Sequence, residues 1–338
     1  MLLRPLPVIG LALAVIALPL FLNTYQTAVL AYVGLYVMLG VGLNVVVGFA
    51  GLLDLGYVAF FAVGAYLYAL AASPHFGVHI SFWWMVPLAM LVAALAGILL
   101  GLPVLRMRGD YLAIVTLGFG EIIRLLLNNL DSLTRGPQGI LGIDVPVLFS
   151  FHVRVPGLVD FAPPAIPGVV ANLRITPAYY YYFALAGCAL AIFCAQRLKD
   201  SRLGRAWEAI REDEEAAIAM GIDPIRAKLL AFAIGAAVGG LGGVLFAAAQ
   251  GSIFPSDFGL MVSINVLALV IIGGMGSIPG VVVGAVILVG VPELLRSLAE
   301  YRLLIFGALL VAVMVLRPAG IWPASRRRAE FASDPEGV

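Results

Sequence analysis

Residues 197–228 read RLKDSRLGRAWEAIREDEEAAIAMGIDPIRAK and place seven basic and seven acidic side chains in a 338-residue chain that is only 12% charged. Charge this dense cannot lie in hydrocarbon, where each ionised side chain costs several kcal/mol, so the stretch is a water-facing connection between membrane spans. The rest of the chain agrees. Hydrophobic residues make up 62% of it and mean hydropathy is +1.07, whereas soluble domains carry about twice the charge. The expected fold is an all-α polytopic membrane protein.

Working outward from the charged stretch, apolar runs able to approach a hydrocarbon thickness of about 30 Å fall near 8–22, 28–48, 57–72, 82–103, 111–127, 177–196, 228–250, 261–273, 279–294 and 301–316. Several are short, which gives eight to ten transmembrane helices. The first run, behind Arg4, has the outline of a signal peptide, but no small-residue cleavage site follows it, so it reads as a retained span. With ten crossings and the amino terminus inside, the inner segments hold Arg4, Arg106, Arg108, the seven basic residues of 197–228, Arg317 and Arg326 to Arg328, which is fourteen of the twenty basic residues. That bias puts the charged loop and both termini in the cytoplasm. Arg296 and Arg302 run against it. Residues 1–327 are expected to form one transmembrane domain, with an outer loop at 128–176, the cytoplasmic loop at 197–228 and a polar tail at 328–338. Six prolines punctuate the outer loop, and Val147, Phe149, Phe151, Val153 and Val155 alternate with Ser150, His152 and Arg154, a strand-like pattern expected to build a small cap.

Several functions are disfavoured. A net charge of +1 provides no field to attract nucleic acid. Cys188 and Cys194, six positions apart, do not share a helical face and read as core residues rather than a disulfide. His75, His79 and His152 lack Cys, Asp or Glu at ligand spacing, so no metal site is expected. No GxxxxGK[ST] cradle occurs and the only lysines are Lys199 and Lys228, so any work driven by ATP must come from another subunit.

Within the charged loop, Trp207, Ile210, Glu214, Ala217 and Ile218 fall on one face of a helix expected from Leu203 to Met220. Glu208, Arg211, Glu212 and Glu215 fall on the other, with Arg211 and Glu215 at pairing separation. Gly221 stands where a helix ends, and Asp223-Pro224 supplies an N-cap and a first-turn proline for the next. The plain alternative is a solvated amphipathic hairpin.

Glycines interrupt the apolar runs twice: Gly48, Gly51 and Gly56 around Asp54, then Gly273, Gly274, Gly276, Gly280 and Gly284. At an offset of 220 residues Gly56 matches Gly276, and Val63-Gly64-Ala65 matches Val283-Gly284-Ala285, a candidate internal repeat with chance matching as its competitor. Candidate translocation-path residues are Asn44, Asp54, Gly56, Glu121 and Arg124. Each has a structural alternative. Asp54 would cap a helix starting at Leu55, Asn44 would bond another helix, and Glu121 with Arg124, three apart, would form a pair within a span. Gly235, Gly239 and Gly243 form a stripe suited to close packing against a helix of this chain or a partner.

Glu215-Ala216-Ala217, followed after three residues by Gly221, resembles the EAA loop of ATP-binding-cassette importer permeases, the helix that docks on the ATPase. Many of those permeases continue with Ile-x-Leu-Pro, whereas this chain has Leu229-Leu230-Ala231-Phe232. That departure is shared with the LivM-type branched-chain amino-acid permeases, which the chain also resembles in Gly42 to Gly48, Gly51 to Tyr57, Gly109 to Ala113, Gly204 to Lys228 and Gly273 to Ser277. The resemblance implies a transmembrane permease subunit of an ATP-driven importer for leucine, isoleucine and valine in a bacterial plasma (inner) membrane, with no catalytic residue of its own. It further implies a second homologous permease subunit, two ATP-binding subunits carrying ATP and Mg, an extracytoplasmic substrate-binding protein, surrounding lipid, and no cofactor on this chain. Coupling to the ATPases would fall to Arg205, Glu208, Arg211, Glu212, Glu215, Ala216, Ala217 and Gly221. A permease for urea or short amides, an ion-coupled secondary transporter, and a membrane scaffold or sensor are the alternatives.

Overall fold

The computed structural model describes residues 14–104, 110–146, 153–155, 159–161, 177–294, 307–308, 311, 315–317 and 320–323. Residues 14–21 form helix α1. Next come α2 (Thr24–Leu43), prolonged by a π-helical turn at Asn44–Phe49, then α3 (Val58–Ala71), α4 (Phe82–Val104), α5 (Asp110–Asn129) and the short α6 (Asp131–Thr134). The second half holds α7 (Pro177–Lys199), α8 (Arg202–Glu212), α9 (Glu214–Ala219), α10 (Pro224–Gln250), α11 (Leu260–Gly273) and α12 (Ile278–Ala285), the last also prolonged by a π-helical turn at Val286–Gly290.

Five helical stretches among the described residues are long and apolar enough to cross a membrane: 24–49, 82–104, 111–129, 177–199 and 224–250. The protein is therefore mainly helical and polytopic, as expected. The expected span 8–22 is described from residue 14 onward, where it is α1, and that at 301–316 falls largely outside the described residues. The short runs expected at 57–72 and 261–273 are found as α3 and α11. Each has 14 residues, which at 1.5 Å per residue reach only about 21 Å, too short for the hydrocarbon core on their own. Each is entered through a non-helical approach, 50–57 and 251–259 respectively, apart from one turn of 3₁₀-helix at Pro255–Phe258. Asp, Gly and Pro in those approaches hold the chain out of helix there.

Helix α10 is the axis of the molecule. It is apolar all round, and such a helix is stable only when surrounded; 78% of its most apolar window is buried. Its glycines let neighbouring backbones approach. A Cβ on Gly243 would lie 2.5 Å from the Ala65 nitrogen of α3, one on Gly240 would lie 2.6 Å from Ala93 Cβ of α4, and one on Gly235 would lie 2.6 Å from Val46 in the π-helical turn. The expected glycine stripe thus packs on this chain's own α2 and α3.

Opposite the charged loop, short strands tie the connections together. β1 (Ala72–Ser73), β2 (Val78–Ile80), β4 (Val153–Val155) and β5 (Val159–Phe161) form one antiparallel sheet, and β3 (Ile140–Leu141) pairs with β6 (Ser252–Ile253). The alternating pattern read over 147–155 thus appears as strand at Val153–Val155, while 147–152 lie outside the described residues. Its partner β2 was not foreseen, because three residues are too few for periodicity to register. Asp144 fastens this region: its carboxylate bonds His79 Nδ1 at 2.6 Å, and its carbonyl accepts from the Tyr68 hydroxyl at 2.7 Å. Cys188 is buried, with its Sγ 2.8 Å from the Gly34 carbonyl oxygen, but Cys194 is exposed on α7, which corrects its assignment to the core.

Candidate functional site

The charged loop is two helices rather than the single one expected from Leu203 to Met220. Helix α8 is capped by Ser201, whose Oγ accepts from the Gly204 amide at 3.3 Å. It stops at Asp213, which has extended backbone and whose Oδ1 accepts from the Glu215 and Ala216 amides at 2.9 and 3.0 Å. An aspartate followed by Glu214 and Glu215 is a strong start signal, because the free amides and positive end of a helix favour acids. Here that signal wins over amphipathic continuity.

The break rotates the two faces relative to each other. Ile218, expected to point inward, is 51% exposed, and the helical register that would have paired Arg211 with Glu215 is interrupted. Gly221 closes α9 in the left-handed region at φ 84°, with its amide donating to the Ile218 carbonyl at 2.9 Å and that of Ile222 to Ala217 at 3.0 Å. Asp223 then caps α10 through the Ile225 and Arg226 amides, as expected.

Three contacts make this corner a stiff lever. Trp207 is fully buried and its indole N–H donates to the Ala227 carbonyl at 2.7 Å. Lys228 Nζ pairs with Glu214 Oε1 at 2.7 Å, with the lysine mostly buried. Arg211, half-buried, donates through Nη1 to the carbonyl of Gly48 in the π-helical turn. Trp207→Phe keeps an aromatic ring and removes that hydrogen bond, so it is expected to lose about 0.5–1.5 kcal/mol of stability, read as a lower unfolding midpoint in detergent.

Both glycine bends meet beside the lever. Asn44 Oδ1 accepts from the Gly276 amide at 2.8 Å, Lys199 Nζ approaches the Gly276 carbonyl at 3.4 Å, and a Cβ on Gly48 would lie 2.6 Å from the Gly276 nitrogen. Asn44 therefore finds the partner its burial demands, although its Nδ2 has none among the described residues.

Asp54 lies at the far end of the first bend, wholly buried, with Oδ1 accepting from the Gly56 amide at 2.9 Å. Helix α3 begins only at Val58, so Asp54 builds a turn and does not cap a helix from Leu55. The Val58 amide is instead taken by Ser263 Oγ of α11 at 3.0 Å, and the Leu55 amide by Thr116 Oγ1 at 3.0 Å. The first turns of the two half-length helices thus meet. Ser263 and Thr116 were not singled out from sequence, since lone hydroxyls in apolar runs look neutral until their partners are known. Gly56 is pressed against the Thr116 carbonyl, which leaves no room for a side chain.

Glu121 and Arg124 pair as expected, Oε2 to Nε at 2.8 Å, each side chain about one third exposed at 33% and 34%. Both residues lie in the membrane-crossing stretch 111–129, where a charge left without its partner is costly. Glu121→Gln is expected to lower the yield of assembled permease, with uptake per assembled complex little changed; a collapse of uptake in an intact assembly would place the pair on the substrate path.

The remaining coupling candidates separate by exposure. Arg205, Glu212, Glu215, Ala216 and Gly221 are exposed, Glu208 is half-buried and Ala217 is buried. Around Gly221, Ile218, Met220 (83% exposed) and Ile225 add an apolar face to the acidic rim. Met220 and Ile225 were missed because they sit next to the turn, where face assignments fail. Among the described residues no group of three His, Cys, Asp or Glu could hold a metal.

Packed apolar helices, two glycine-rich bends and a charged corner bonded to the first of them define a multi-pass membrane protein. The family described as the branched-chain amino acid transport system permease component matches residues 25–314, and the chain belongs to it. It is 46% identical over 329 residues to the high-affinity branched-chain amino acid transport system permease protein LivM of Salmonella typhimurium, covering 96% of this chain and 76% of that one. Identity to LivM of Escherichia coli is 44%, over 94% and 75% of the two chains. The corresponding LivH of Salmonella typhimurium is 29% identical over 85% and 90%. The chain is a transport subunit rather than an enzyme. No solved structure matches it.

Proposed function

We propose that this chain is the LivM-like permease subunit of an ATP-driven importer for leucine, isoleucine and valine in the plasma (inner) membrane. Identity of 46% to a LivM over nearly the whole chain carries the reading. Lower similarity to LivH supports a second, homologous permease subunit beside this one. Two ATP-binding subunits would take the exposed corner around Ile218, Met220, Gly221 and Ile225, and an extracytoplasmic binding protein would deliver substrate to the side bearing the strands. Residues 1–327 form one domain of up to ten crossings with both termini inside, ending in the polar tail 328–338. The bent pairs α2–α3 and α11–α12 are its internal repeat.

ATP-driven closure of the nucleotide-binding subunits pulls on the corner. Because Trp207 and the Glu214–Lys228 pair lock the corner to α10, it moves as a body. Arg211 then displaces Gly48, and Lys199 displaces Gly276. These are the bends, where helical hydrogen bonding is interrupted and the backbone yields most easily. Asn44, Asp54 and Gly56 line the region that re-angles, with the Glu121–Arg124 pair bracing α5.

The test is reconstitution of the chain with its neighbouring subunits in vesicles and measurement of vanadate-sensitive leucine uptake. Uptake without nucleotide would favour an ion-coupled carrier. Preference for urea or short amides would favour that branch of permeases, and absence of any flux would favour a scaffold or sensor.

A further inference from the structure

Two adjoining clefts open near the ends of α2 and α10 that lie far from the lever. The outer is walled by Ala28, Pro146, Pro177, Tyr180 and Phe183, and holds about 870 Å³ including its open mouth. The inner holds about 430 Å³ on the same basis and is floored by Tyr36, Leu39, Phe61, Asp257 and Val262. Both are lined by Tyr32, Leu35, Phe246 and Gln250, so they share a wall. Without the space open to solvent, the two hold about 250 and 120 Å³; small-molecule sites are mostly apolar with a few placed polar groups.

The polar groups are few and specific. Asp257 stands in the 3₁₀ turn Pro255–Phe258 and uses Oδ2 to accept from the Phe254 amide at 2.9 Å, so its other oxygen is not needed for that turn. It is the one charged residue of the inner lining. Tyr66, only 3% exposed, has a hydroxyl without a hydrogen-bond partner among the described residues, and it lies within electrostatic reach of Asp257. Tyr32 and Tyr36, with ring centroids 5.1 Å apart, also line the inner cleft. Helix α11 begins at Leu260, and Val262 in its first turn borders the cleft. The Val262 amide donates to the Gly259 carbonyl at 3.0 Å, so what this helix start offers an anion is the partial positive charge of its dipole.

We infer that this inner cleft is a substrate subsite of the permease itself, taking an aliphatic α-amino acid with its ammonium on Asp257. The carboxylate would meet the first turn of α11 and the tyrosine hydroxyls. The side chain would lie against Leu35, Leu39, Phe61 and Phe246. Such a site gives the permease a selection step of its own, after release by a binding protein. The inference rests on the import function proposed above and names a site for it.

The decisive variant is Asp257→Asn in the reconstituted complex. Asparagine keeps an oxygen for the Phe254 amide and removes only the charge, so the complex should still assemble while leucine uptake falls at least about tenfold. Asp257→Glu, which restores the charge, should recover a substantial part of it. Should Asp257→Asn fail to assemble, Leu39→Phe narrows the cleft with the carboxylate in place and should give the same loss. Normal uptake by Asp257→Asn, or by Leu39→Phe, overturns the inference and leaves the cleft a lipid-filled groove. Failure of the unmodified complex to import leucine overturns the import function instead.

Discussion

Gly64→Val is expected to remove nearly all folded permease from the membrane fraction. Gly64 of α3 faces α10 where that helix also presents a glycine. A Cβ on Gly64 would lie 2.6 Å from the Gly240 Cα, with the Gly240 carbonyl oxygen closer still. Relief cannot come from sliding α10 away, because Gly240 backs onto α4, where a Cβ would lie 2.8 Å from the Ala89 carbonyl oxygen. Three backbones are stacked at one level. Overpacking typically costs about 1–3 kcal/mol when side chains can rearrange; here the obstacle is main chain, so the loss should reach or pass the top of that range, against a total stability of about 5–15 kcal/mol. Gly118→Val on α5 is the control, since a Cβ there meets nothing within 4 Å. The pair is compared by monodisperse yield on size-exclusion chromatography, and equal yields would refute the close-approach account.

How much of this could be read from the chain alone follows from how local each cause is. The spans near 82–103 and 177–196 were found within a few residues of α4 and α7 because each is a continuous apolar run. The corner at Gly221 and the start of α10 at Asp223-Pro224 were equally readable, since caps and left-handed turns are set by adjacent residues. Asp213 shows where local signals conflict: periodicity argued for one helix, the cap for two, and the cap won. Long-range facts left no trace. That Ser263 takes the Val58 amide, or that Asn44 takes the Gly276 amide, depends on segments more than two hundred positions apart. The short lengths of α3 and α11 were legible, because the runs at 57–72 and 261–273 end where Gly, Asp and Pro break the apolar pattern. The cleft at Asp257 draws on Tyr32, Tyr36 and Gln250, which no spacing rule would group.

Arg211→Met is expected to separate ATP hydrolysis from transport. Methionine keeps an apolar stem of similar reach against Gly51 and deletes the guanidinium that bonds the Gly48 carbonyl. Hydrogen bonds from a charged donor contribute about 1.5–3 kcal/mol, and each 1.4 kcal/mol is about tenfold, so leucine imported per ATP hydrolysed should drop by about 10- to 100-fold. Hydrolysis itself should persist, because the exposed corner at Ile218, Met220 and Ile225 is untouched. A merely structural role for Arg211 predicts a different outcome, loss of assembly with both activities falling together. Gly51 offers a route to the same defect that leaves every charge in place. Its φ of 71° is in the left-handed region, and a Cβ there would lie 2.8 Å from Arg211 Cγ. Gly51→Ala should therefore push the arginine stem off the bend and lower the import ratio in the same direction as Arg211→Met. Because both variants act on one contact, combining them should add little to either. Full additivity in the import ratio would mean that the lever reaches the bend by some other contact than this one.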